Sequence, residues 1–374
     1  MPLNSLDLKR LNRINLYRAI LKEETVSRGE LASRLGLSLP TVAQNVKDLF
    51  DQGLIQETGT LASTGGRKAG GLAPLANARL AAGADITRNH LSLALVNLKG
   101  EVLAWNRRQL KFANTPEYYA QAGAMVEGFL AENQVETERL LGLGVSLPGI
   151  VSEDGSALLY SHMLNLDGPL DIRLPLTKRE VKQKLFNDAT AACLAELWLS
   201  TQSQESFFFF SLSNSVGGCL VIYGRIFPGH NQRAGETGHI IIDPHGPVCY
   251  CGVQGHYDSF GSALNLSTPA GGRLESFFEG LKDGNPEFTA IFEKYLESLA
   301  WIVVSLRALL DCDIVLGGYV GGFLGPYLEE IKRRVLALDT FKDESDYLRL
   351  SRHKMEGAAV GVALNYIDNF INSL

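Results

Sequence analysis

The sequence predicts an α/β protein in two parts: a small helical head carrying a β-wing, then a larger body made of two similar α/β halves. Three observations predict it. Helix-start and helix-stop signals crowd the first 52 residues and lead into a strand and a glycine-rich turn at 63–71. From about residue 80 the order β-β-β-α-β-α is read twice. Charge divides along the same line. Residues 1–70 carry ten Lys/Arg against seven Asp/Glu, while the whole chain is −6, so a +3 head sits on a −9 body. That asymmetry predicts that only the head meets a polyanion.

In the head, residues 7–23 put Leu8, Leu11, Ile14, Leu16, Tyr17, Ile20 and Leu21 largely on one helical face. Ser27-Arg-Gly-Glu30 is a capping box and predicts a helix over Arg28–Leu35, ended by Gly36. Ser38 caps a third helix to about Gln52, with Pro40 tolerated in its first turn. Leu37, Val42, Val46 and Leu49 are expected to face inward, leaving Thr41, Gln44, Asn45 and Lys47 outside. Two short helices, a tight turn and a β-wing describe a winged helix-turn-helix over 1–75. Its expected partner is double-stranded DNA, met in the major groove by Thr41, Gln44, Asn45 and Lys47, with Arg28 beside them. Arg67 and Lys68 on the glycine-rich wing are expected at phosphate or the minor groove. A protein-interaction domain with solvated polar faces is the competing reading.

In the body, strands are expected at 80–87, 90–97 and 101–111, a helix at 116–132, strands at 141–147 and 181–186, and a helix at 189–199. The second round comprises strands Phe207–Leu212, 219–223 and 225–228, a long helix at 286–310 and a strand at 314–316. Helices starting near Phe323 and Met355 complete it. Two such copies, at about 76–200 and 201–374, are the layout of actin/hexokinase-like (ribonuclease H-like) folds, whose ligand sits between the halves.

Residues 236–258 hold His239, His245, Cys249, Cys251 and His256. Imidazole and thiolate are the pair that tetrahedral zinc favours, and a C-x-C turn lets two sulfurs face one ion. Two cysteines and a histidine falling together by chance in a loop is the bland alternative, and five soft ligands in so short a span argue against it.

A winged helix ahead of this duplicated body with a cysteine/histidine loop resembles the ROK family (repressors, open reading frames, kinases), and the wing Ser63-Thr-Gly-Gly-Arg67 is similar to that of its repressor branch. The family motif G-H, then C-x-C-G-x-x-G-C-x-E, reads here Gly238-His239, then Cys249-Tyr-Cys251-Gly-Val-Gln-Gly255-His256-Tyr-Asp258. The resemblance implies structural Zn2+ on His239, Cys249, Cys251 and His256, with His256 replacing a cysteine and His245 left on the loop surface. It also implies a sugar or sugar-phosphate site at Asn187, Asp188, Glu236 and His239, with Asp258 where the family has Glu. Asn187-Asp188 reads equally well as a plain helix cap. In the kinases the aspartate matching Asp188 is the general base. The phosphate loops depart from the kinase pattern: Thr87 stands in a glycine position after Asp85, and Ser213-Asn-Ser-Val-Gly-Gly218 lacks leading glycines. Gly317-Gly-Tyr-Val-Gly-Gly322 lies where the family has its adenosine loop.

The expectation is therefore a sugar-responsive repressor of carbohydrate genes and not an enzyme, acting as a homodimer or homotetramer. A sugar kinase and a regulator controlled by a protein partner are the alternatives. Composition is that of an ordinary globular chain, 45% hydrophobic and 20% charged. No apolar run approaches a membrane span, the first residues lack the order of a secretory signal, and five cysteines, an odd number, do not read as a disulfide framework. A cytoplasmic protein without membrane contact is expected.

Overall fold

The computed structural model describes residues 5–60, 70–166, 168–171, 176–200, 205–341 and 345–374. The head contains α1 (Ser5–Leu21), β1 (Val26–Ser27), α2 (Arg28–Leu35), α3 (Leu39–Asp51), β2 (Ile55–Thr60) and β3 (Gly70–Pro74). Ser27 and Glu30 form the capping box in full, and Gly36 ends α2 in the left-handed region at φ +63°. The three short strands form a sheet in the order β1-β3-β2, which is the wing. Arg67 and Lys68 lie outside the described residues.

The first half follows with β4 (Leu80–Ile86), β5 (His90–Asn97), β6 (Val102–Gln109), α4 (Pro116–Glu132) and β7 (Leu140–Leu147). Then come β8 (Ile150–Val151), β9 (Ala157–Tyr160), β10 (Leu170–Asp171), β11 (Gln183–Asn187) and α5 (Asp188–Leu199). The second half has β12 (Phe207–Leu212), β13 (Val216–Ile222), β14 (Arg225–Phe227), α6 (Asp258–Gly261), α7 (Ala263–Ser267), α8 (Leu274–Lys282) and α9 (Pro286–Leu310). It ends with β15 (Asp313–Gly317), α10 (Gly318–Gly321), α11 (Leu328–Leu338), β16 (Leu348–Leu350) and α12 (Gly357–Ser373).

The duplication is plain in the sheets, ordered β11-β7-β4-β5-β6 and β14-β13-β12-β15-β16. In each, an antiparallel meander runs from the first strand, and two parallel strands extend its other side. β12 reads Phe-Phe-Phe-Phe-Ser-Leu and is buried on both faces, as a central strand between helical layers must be. The short α6 and α7, the β8-β9-β10 sheet and β16 carry no clear periodic signal, whereas α8 does, with Leu274, Phe277, Phe278 and Leu281 on one face, and was not among the expected helices.

The last helix breaks the consecutive division of the body. α12 packs across β4, β5 and β7 and along α5, so the end of the chain returns to the first sheet. Glycine permits this approach. A Cβ at Gly361 would stand 1.8 Å from the Ala191 carbonyl oxygen, and one at Gly83 1.8 Å from that of Ala359. α12 also carries the head: Leu16, Tyr17, Ile20, Val46 and Leu72 share one apolar cluster with Ala81, Val96, Val360, Leu364 and Ile367. Arg18 adds an ion pair to Asp368 at 2.7 Å. Head and first half are therefore joined through a common core.

Candidate functional site

The metal group comes together. The ligand atoms of His239, Cys249, Cys251 and His256 all lie within 4.8 Å of one another. Gly255, at φ +81°, turns the loop where a Cβ would meet the Asp243 oxygen at 1.8 Å. Cys251 Sγ and His239 Nδ1 each lie 3.2 Å from His256 Nδ1. A tetrahedral zinc with bonds of about 2.0–2.3 Å sets its ligand atoms roughly 3.5 Å apart, so this donor set fits the ion. Burial pushes the Cys249 thiol up to about 11, so without a cation it stays protonated. His245 is exposed, its backbone N–H donating to Asp243, and is not among the four.

Beside this group a cavity of about 510 Å3 opens between the halves, and Asn187, Asp188, Glu236 and His239 line it. Asn187 is also the cap of α5: its Oδ1 accepts from the Thr190 amide at 3.0 Å while its Nδ2 donates to the Gly149 carbonyl at 3.0 Å. Burial, and then the neighbouring Asp85, push the Asp188 carboxyl up to about 7. Glu236 is carried down by Gly235, φ +92°, whose Cβ would meet the Gly218 oxygen at 2.1 Å. His239 turns Nδ1 to the metal group and Nε2 toward the cleft, 3.4 Å from the Tyr250 hydroxyl and 3.9 Å from Glu236. One ring thus faces both sites.

Asp258 departs from the expectation. It is 3% exposed, does not line the cavity, and its Oδ2 accepts from the Val216 amide at 2.6 Å. With one methylene fewer than Glu, its carboxylate anchors the start of β13 from behind the cavity wall. Three lining residues escaped sequence reading. His162 packs edge-on against Tyr160 and Tyr250, with ring centroids 4.7 and 5.4 Å apart, and the Tyr160 hydroxyl meets its ring nitrogens, Nε2 more closely than Nδ1. Tyr250, inside the C-x-C turn, could have been suspected; Tyr160 and His162 belong to no periodic pattern.

The segments that resemble phosphate and adenosine loops lie close together and are bound to one another through side chains. Tyr319 follows β15, its amide donating weakly to Ser213 at 3.4 Å. Its ring lies under the Arg107 guanidinium, 5.3 Å from centroid to Cζ. Arg107 also reaches His90 Nδ1 at 3.2 Å and the Met355 sulfur at 3.6 Å. The Thr87 hydroxyl is tied to the His90 carbonyl at 3.2 Å. Asp85 beside them is buried and accepts from Ser146 at 2.8 Å, and burial raises its carboxyl to about 6.

On α3, Gln44 and Lys47 are exposed, and Thr41 is half-buried, its hydroxyl 2.8 Å from that of Ser38. Asn45 is the second correction. It is 7% exposed, with Nδ2 donating to the Thr41 carbonyl at 2.8 Å, because position 45 shares the helical stripe of Val42, Val46 and Leu49. Arg28 pairs with Glu57 at 2.6 Å.

Residues 10–56 match the family described as winged helix-turn-helix DNA-binding. The xylose repressor of Bacillus subtilis is 26% identical over 69% of this chain and 67% of its own. The N-acetylmannosamine kinase of Escherichia coli is 29% identical over 63% of this chain and 82% of its own. In fold, a ROK-family transcriptional regulator homologous to the E. coli Mlc protein superposes with a TM-score of 0.76 at 22% identity, over 98% of both chains. Residues 81–367 match the ROK family itself, and with the motifs, the duplicated sheets and the metal loop in agreement, the chain belongs to the ROK family.

Proposed function

We propose that this chain is a DNA-binding transcriptional repressor whose release from its operator is controlled by a sugar held in the cleft. The observation that carries the reading is the combination of a helix-turn-helix head with a body whose phosphate-loop segments carry Thr87 and Ser213-Asn-Ser where the kinase pattern has glycines. Asn187, Asp188, Glu236 and the free nitrogen of His239 offer the mix of donors and acceptors that a polyol needs. Zn2+ held by the four protein ligands would leave no open position for water and would serve to hold His239. The effector acts by preferring one arrangement of the halves over another. α12 is the element that conveys it, starting two residues after Met355, which touches Arg107, and carrying Asp368 on Arg18. A two-fold operator calls for a homodimer or a higher homo-oligomer.

A kinase is the second reading, favoured by the Asp188 carboxyl near 7, a value suited to a general base, and by the N-acetylmannosamine kinase relative. Against it, the glycine that lets phosphate approach backbone is replaced here by Thr87. Isothermal titration with an ATP analogue and Mg2+ separates the readings. The repressor account expects no heat of binding, and turnover of ATP on any hexose, lost on Asp188→Asn, would establish the kinase. Control by a protein partner predicts instead that no carbohydrate raises the melting temperature.

A further inference from the structure

The cavity is long and its two ends differ in chemistry. Asn187, Asp188, Glu236 and His239 occupy the end beside the metal group, next to Val216 at the start of β13. From there the cavity runs between two sheet edges, since β11 and β14 are each the last strand of a sheet. Phe227 pairs with Leu220, four residues beyond Val216, hence about 13 Å along the strand at roughly 3.3 Å per residue. Lys184 on β11 lies three residues before Asn187, about 10 Å by the same rise. Both Phe227 and Lys184 line the cavity.

The far end is built for something other than water. Phe227 is 49% exposed, a large apolar ring open to the cavity from an edge strand. Lys184 lines the same cavity from the other half, its ammonium 5.6 Å from the Phe186 ring centroid. Volume points the same way. A pyranose has about twelve heavy atoms, and even at the roughly 30 Å3 that a water molecule occupies in the liquid it would need no more than about 360 Å3. The cavity holds about 510 Å3, more than that upper bound.

Resting on the sugar-cleft reading above, we propose that the effector is a disaccharide: one ring sits on the polar group by His239, and the second lies between Phe227 and Lys184. The apolar C–H face of the second ring packs on Phe227, and its hydroxyls accept from the Lys184 ammonium. Because Phe227 belongs to the second half and Lys184 to the first, the second ring touches both, so a disaccharide has more purchase on the angle between the halves than a monosaccharide has.

The test is isothermal titration of the full-length chain with a panel of monosaccharides (glucose, xylose, N-acetylglucosamine), their phosphates, and disaccharides (cellobiose, xylobiose, maltose, sucrose). At least one disaccharide should bind ten-fold or more tighter than its component sugar. Phe227→Ala, at a half-exposed position that spares the core, should erase that advantage and leave monosaccharide affinity within two-fold. Lys184→Ala should reduce the same advantage. A monosaccharide or sugar phosphate that binds as tightly as every disaccharide, or a preference untouched by both substitutions, overturns the proposal while leaving a sugar-responsive regulator in place. Failure of every carbohydrate to bind overturns the sugar-cleft reading along with it.

Discussion

At the residue scale, polar residues with local jobs were legible and those with tertiary jobs were not. Ser27, Glu30, Gly36 and Ser38 act within four residues of themselves, and their roles follow from sequence. Asn45 looks like a base reader by type, yet its stripe on α3 buries it. Asn45→Ala should therefore lower stability by about 1 kcal/mol, seen in chemical denaturation, without relaxing operator sequence preference. Lys47→Ala should do the reverse: unchanged stability, weaker DNA binding, and a salt dependence of log K shallower by about one in slope. Asp188 carries a pH prediction. Its folded value of about 7 lies above the ordinary carboxyl value near 4, so the folded state binds the extra proton. That stabilisation is complete below about pH 4 and fades as pH rises through about 7. Asp188→Asn should flatten the melting temperature against pH between these values and raise it above pH 7. A wild-type curve that climbs from pH 4 to 7 with no change on substitution would contradict the buried carboxyl.

At the element scale, the strands and long helices of both halves fall within a few residues of their apolar patterns, because periodicity reports which face is buried. What periodicity leaves out is partnership. Nothing in the sequence of α12 says that it covers the first sheet, although Gly361 and Gly83 hold the means. Gly361→Ala should cost about 1–3 kcal/mol through forced separation of α12 from α5, read as a lower melting temperature. Short elements such as α6, α7 and β8–β10 carry too few residues for a period to show. The metal loop was legible because its chemistry is concentrated: four ligands in 18 residues. Cys251→Ser should lower bound zinc, measured by elemental analysis, from one ion per chain to a small fraction of that, and wild-type protein stripped with a chelator should melt earlier.

At the scale of the whole molecule, the head, α12 and the cleft form one connected body. The apolar cluster that holds Tyr17 and Val46 of the head also holds Val360 and Ile367, and Met355, two residues before α12, touches Arg107. The departure from the kinase pattern was half legible: missing glycines showed that phosphate would be poorly held, but only the fold shows Tyr319 under Arg107 beside those segments. The account stands on a link between cleft and DNA. It is tested most directly by anisotropy of labelled operator DNA, selected from genomic fragments with the full chain, titrated with carbohydrate in parallel for wild type and His239→Ala. The account predicts tight, sequence-selective binding by the wild type that a saturating sugar weakens at least ten-fold, and a variant that binds the operator but no longer responds. Operator binding indifferent to every carbohydrate, or a His239→Ala variant that responds normally, would contradict it.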